Sequence, residues 1–98
     1  MNDKSLQFLG LLNRAGKLLI GESLLYKMDR IAILILADDA SDRSRKTYLN
    51  KAKSAEVAVL GGYRKAELGA SLGLGEVSAI GLLDKKAAKK LAESWKGE

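Results

Sequence analysis

The chain has 98 residues, with 17 Lys and Arg against 12 Asp and Glu for a formal charge of +5, and it contains no cysteine, histidine or proline. At 47% hydrophobic and 30% charged residues the composition is globular, and the length suits one domain over residues 1–98 because two cores would not fit. Absent cysteine excludes disulfides, Cys-based zinc sites and thiolate nucleophiles, and absent histidine excludes the usual general base and the commonest metal ligand. Any enzymology would rest on carboxylates, lysine or backbone amides, and no cofactor is expected. The polar start and the broken apolar stretch after it lack a signal-peptide pattern, and no apolar run approaches the roughly 20 residues of a membrane span. A soluble cytoplasmic protein is the expectation, with the charge favouring a monomer.

In chain order, Leu6, Leu9 and Leu12 recur at helical spacing over residues 5–15, with Asn2, Asp3 or Ser5 as cap and Gly16 as stop. Residues 18–20 read as a brief strand closed by Gly21, and residues 22–30 as a second helix. The run 31–37, IAILILA, is apolar throughout and reads as a central strand covered on both faces. It ends in Asp38-Asp39-Ala40-Ser41-Asp42, where Ser41 or Asp42 caps a long helix to about residue 54. A strand at 57–60, a helix at 64–72, a strand at 77–83 and a Lys- and Ala-rich helix from Asp84 to about Trp95 complete the alternation. This pattern predicts an α/β fold, a three-layer α/β/α sandwich with a mixed sheet of about four strands.

Basic charge is uneven: residues 1–53 hold ten Lys and Arg against six Asp and Glu, residues 54–98 seven against six. On the long helix Arg43, Lys46, Asn50 and Lys53 share one face, a stripe suited to phosphates or simply to solvent. Residues 10–17, GLLNRAGK, are not a phosphate-binding P-loop: five residues separate the glycines where four are required, Leu18 follows the lysine, and the segment starts inside a helix. Asp38, Asp39 and Asp42 leave the central strand at its carboxyl end, where ligands commonly bind in open α/β sheets. They could hold Mg²⁺ for phosphoryl transfer or hydrolysis, or serve as helix caps. The glycine-rich passage 69–75 could approach a ligand or act as a plain connector. The five aromatics, Phe8, Tyr26, Tyr48, Tyr63 and Trp95, avoid predicted strand interiors, which disfavours a stacking platform on the sheet. Tyr48 and Trp95 read as partial core with a polar tip at the surface.

Taken together, Ala15-Gly16-Lys17-Leu18, Gly21 with Lys27 six residues on, Leu36-Ala37-Asp38-Asp39-Ala40-Ser41, and Glu67-Leu68-Gly69 through Gly73 resemble the ribosomal family of kink-turn RNA binders. That family is named for the archaeal large-subunit protein "seven Ae" and includes the "thirty e" protein; the resemblance is nearest to its small bacterial, YlxQ-like branch. It spans roughly residues 6–91 and implies a non-enzymatic binder of structured, kink-turn-like RNA, ribosomal RNA first, met on the ribosome or an assembly intermediate. By resemblance, the amino end of the second helix would enter the RNA major groove with Gly21, Glu22, Ser23 and Lys27, flanked by Asp39. Lys65, Gly73 and Leu74 would close over an extruded nucleotide, and Arg14, Lys17, Arg43 and Lys46 would add phosphate contacts. Three positions depart from the family pattern: Ser23-Leu24 replaces Asn-Glu, Ser41 replaces a carboxylate, and Glu76 stands near a loop arginine. A protein-interaction module using the same surface is a further alternative to the Mg²⁺ enzyme.

Overall fold

The computed structural model describes residues 4–95. Helix α1 (Lys4–Arg14) turns Leu9 and Leu12 inward. It stops where Gly16, at φ +70°, lets the Gly16 and Lys17 amides donate to the Asn13 and Leu12 carbonyls. That is a Schellman ending, which needs one left-handed residue and so favours glycine. Of the three candidate caps, Asn2 and Asp3 lie outside the described residues, and Ser5 is not a cap: it is buried within α1, its hydroxyl donating to the Ser94 carbonyl.

Strand β1 (Leu18–Ile20) leads into a helix shorter than the sequence predicts. Helix α2 covers only Ser23–Tyr26, Lys27 leaves helical geometry at φ −124°, and a single 3₁₀ turn spans Met28–Arg30. The tighter turn eclipses residues three apart, which lets Met28 and Ile31 both face the interior with Leu24. Strand β2 (Ile33–Leu36) is buried at all four positions, as its unbroken apolar run requires. Helix α3 (Asp42–Ser54) starts at Ser41, whose hydroxyl accepts the Ser44 amide, and β3 (Ala58–Leu60) follows. Helix α4 (Lys65–Ser71), β4 (Ala79–Leu82) and α5 (Lys85–Glu93) follow in turn, the last capped by Asp84 accepting from the Lys86 and Ala87 amides.

The four strands form one mixed sheet in the order β1-β4-β2-β3, with β2 and β3 parallel and β4 antiparallel to both β1 and β2. A Cβ on Gly81 would lie 2.5 Å from Leu24 Cδ1, so α2 packs directly on β4. Gly81 pairs with Leu34, and Leu36, two residues further along that face, shares a groove with Arg45 and Leu49 of α3. Helices α2 and α3 therefore cover one face, while α1, which packs against α4 and α5, covers the other. Leu34, Ile35, Ile80 and Leu82 between these layers are fully buried. No helix among the described residues is long and apolar enough to cross a membrane.

Candidate functional site

The strand directions sort the loops into two ends. Because β4 runs against β1 and β2, and β3 runs with β2, the carboxyl ends of β1, β2 and β3 meet the start of β4 at one edge of the sheet. Residues 21–22, 38–41, 61–65 and 75–78 are gathered there. Lys17, Ala32, Val57 and Leu83 lie at the opposite end. Antiparallel placement of the last strand thus brings together two segments far apart in sequence.

At the first end a groove of about 470 Å³ is lined by Gly21 and Glu22 on one side, Leu74 to Ala79 on the other, and Tyr48 from α3. Gly21 makes the turn possible, since its φ of +89° is a conformation that other residues adopt only with strain. The opposite wall is fixed by backbone hydrogen bonds. Gly73, at φ +72°, ends α4 in a second Schellman motif: its amide donates to the Ala70 carbonyl and the Leu74 amide to Gly69. The apolar residue after such a glycine usually packs on the residue five positions back, but here that residue is Gly69, and Leu74 stays 49% exposed. A Cβ on Gly69 would lie 2.3 Å from the Gly75 carbonyl oxygen, so α4 and the loop touch backbone to backbone. The Val77 amide then donates to the Lys65 carbonyl and closes the loop.

The aspartates after β2 are used in building this end. Asp38 accepts the Gly62 amide at 2.8 Å and Asp39 the Lys65 amide at 2.7 Å, tying the β3–α4 loop to β2, while Asp42 opens α3. Among the described residues no group of three His, Cys, Asp or Glu could hold a metal ion. Two of the three carboxylates proposed for Mg²⁺ are engaged with backbone amides of the β3–α4 loop and the first residue of α4, and the cap of α3 is Ser41.

The basic residues divide by location. Lys27 is exposed at the end of α2, Lys65 is half-buried at the start of α4, and Arg43 and Lys46 are exposed on α3 with Asn50 and Lys53 along the predicted stripe. Lys17 is separate from these: its ammonium pairs with Asp84 at the opposite end of the sheet. The pair, with the Lys86 and Ala87 amides, holds the Asp84 carboxyl below the usual carboxylate range; the Lys17 hydrogen bond is the largest cause. Arg14 borders a second groove, of about 600 Å³, which reaches the far side of Gly73. The second helix also differs from expectation in what its amino end can offer. A four-residue helix has little macrodipole, and its Leu24 and Leu25 amides already donate to Gly21 and Glu22.

Sequence reasoning read Tyr48 as partial core and not as a groove residue, and singled out Gly75 only within the glycine-rich passage 69–75. Tyr48 is mostly buried, and burial first, then the Glu22 carboxylate, pushes its phenol pKa up. Its position seven residues after the Ser41 cap, on the inward face of α3 with Ala52, was the available signal.

Fold and groove define a small α/β sandwich with a groove at one end of its sheet. No family model matches the chain. It is 31% identical over 97 residues to the RNA-binding protein YlxQ of Enterococcus faecium, an alignment covering 96% of this chain and 93% of that protein. The chain belongs to the YlxQ family. A solved structure from Bacillus halodurans, of a protein described as having unknown function, matches with a TM-score of 0.88 at 32% identity, covering 94% of this chain and 96% of that one.

Proposed function

We propose that the chain is a non-catalytic RNA-binding protein that recognises structured RNA of the sharply bent, kink-turn type. One observation carries the assignment of the site: the turn at Gly21–Glu22 and the loop around Leu74, matched separately to the two RNA-contacting elements of the kink-turn family, line a single groove. The YlxQ relative, named an RNA-binding protein, supports the ligand class.

Lys27, Lys65, Arg43 and Lys46 supply phosphate contacts around the groove, which position the RNA without reading its sequence. Leu74 offers apolar surface to an unstacked base. Ser23 and Glu22 face the bent duplex in place of the Asn-Glu pair, through their side chains and not through a helix dipole. Asp39 contributes indirectly by fixing the Lys65 backbone, and Arg14 extends the surface beyond Gly73. Lys17 contributes to the fold through Asp84. Ribosomal RNA in the cytoplasm is the proposed setting.

The test is a titration of a kink-turn RNA and an unkinked duplex of equal length at two salt concentrations, with wild type and Lys27→Ala. Tighter binding to the kink-turn that persists at the higher salt, and weaker binding by Lys27→Ala, is the expected result. Equal affinity for the two RNAs would overturn the proposal.

A further inference from the structure

The segment between β3 and α4, residues 61–64, belongs to neither helix nor strand, and Gly62 within it stands at φ +102°. A glycine-containing loop of this kind loses much conformational freedom when it is fixed, so its position depends on the contacts that hold it. Asp38 and Asp39 hold it from the sheet. A residue that the proposed function leaves unused holds it from the side of α5.

That residue is Trp95, just past the end of α5. Its indole N–H donates to the Gly61 carbonyl at 2.8 Å. Its ring meets the buried Tyr63 ring edge to face, with centroids 5.1 Å apart and planes at 89°, a favoured arrangement for two aromatic rings. Trp95 is placed in turn by its own surroundings: its amide donates to the Ala92 carbonyl, and the Ser94 carbonyl accepts the buried Ser5 hydroxyl of α1.

From Tyr63 the contacts continue to the groove. The Tyr63 carbonyl accepts the Asp38 amide, and the Gly62 amide donates back to the Asp38 carboxylate. Two residues on, the Lys65 amide donates to Asp39, and the Lys65 carbonyl accepts from Val77, which lines the groove. The loop that Trp95 grips therefore carries Lys65 at its end and is bonded to the groove wall.

We infer that Trp95 is a positioning residue for RNA binding: by bonding Gly61 and packing on Tyr63, it fixes the loop that sets Lys65 beside the groove. The inference rests on the RNA-binding reading and adds to it a residue that touches no RNA. A Trp95 that served the core alone would affect stability and leave binding untouched, and that difference can be measured.

The experiment measures the affinity of a kink-turn RNA for wild type, Trp95→Phe, Lys65→Ala and the double variant. Phenylalanine keeps a ring against Tyr63 and removes the N–H. Trp95→Phe should weaken binding by about two- to tenfold, the equilibrium equivalent of one lost hydrogen bond. Lys65→Ala should cost less in the Trp95→Phe background than in wild type, because the two residues act through one loop. Asp84→Asn, at the opposite end of the sheet, is the control for lost stability and should leave affinity unchanged. Additive losses overturn the inference, as does a Trp95→Phe that melts earlier and binds as wild type does; both leave the RNA-binding proposal standing. Hydrogen exchange reads the loop without RNA. The Gly62 and Lys65 amides should exchange faster in Trp95→Phe while the Ser44 amide at the start of α3 does not change. Faster exchange in a protein that binds no RNA would sink the RNA-binding proposal and keep Trp95 as the clamp of the loop; unchanged exchange overturns the clamp whatever the RNA does.

Discussion

Asp84 shows how one carboxylate can link two parts of the chain. It caps α5 through the Lys86 and Ala87 amides and pairs with Lys17 before β1, and its lowered pKa records those contacts. A carboxyl whose folded pKa is depressed contributes stability above its unfolded pKa, and that contribution is lost as pH falls through the folded value. Asp84→Asn, which keeps an acceptor for the cap but removes the charge, should lower the melting temperature at neutral pH. The difference from wild type should shrink to nothing in acid below the usual carboxylate range, and a difference independent of pH would contradict the ion-pair account. Glu56 is a second informative residue. It ends α3 at φ 56°, with its own amide and that of Val57 returning to Lys53 and Ala52, in a position that glycine fills at the ends of α1 and α4. A non-glycine residue there is strained, so Glu56→Gly should stabilise the protein by about 0.5–1 kcal/mol, read from denaturant unfolding.

At the level of elements, α4 and the loop after it act as a unit. Gly69 allows backbone contact with Gly75, and Gly73 turns the chain so that Leu74 meets the groove. Gly69→Ala should cost about 1–3 kcal/mol by overpacking and should reshape the groove wall, lowering the melting temperature and RNA affinity together. Unchanged affinity in a destabilised variant would separate the loop from the site. Much of this was legible in the sequence. The central strand was evident because β2 is covered on both faces, and the Ser41 and Asp84 caps and the Gly16 stop follow from local chemistry. The break of the second helix at Lys27 was not legible, since Leu24, Met28 and Ile31 fit helical spacing about as well as the tighter turn that buries them. Nor was the union of Gly21 with Leu74, because it depends on β4 pairing between β1 and β2, a long-range choice that no local pattern encodes. Glycines at 69 and 75 were visible, but their contact belongs to packing.

At the scale of the whole molecule, the two ends of the sheet are tied by different carboxylates. At one end the Lys17–Asp84 pair joins the start of β1 to the start of α5; at the other, Asp38 and Asp39 hold the loops that frame the groove. The net charge of +5 is spread over both ends, so it understates how few cations surround the site. If Lys27, Lys65, Arg43 and Lys46 make the phosphate contacts, log affinity should fall against log salt with a slope of about −3 to −4. A much steeper slope would mean that the lysines of α5 bind RNA as well. The most direct test of the site is an NMR map of the backbone amides as a kink-turn RNA is added. Residues 21–27, 38–43 and 73–78 should shift while Lys17 and residues 83–90 stay in place; shifts concentrated on α5 and around Lys17 would put the RNA at the opposite end and contradict the account.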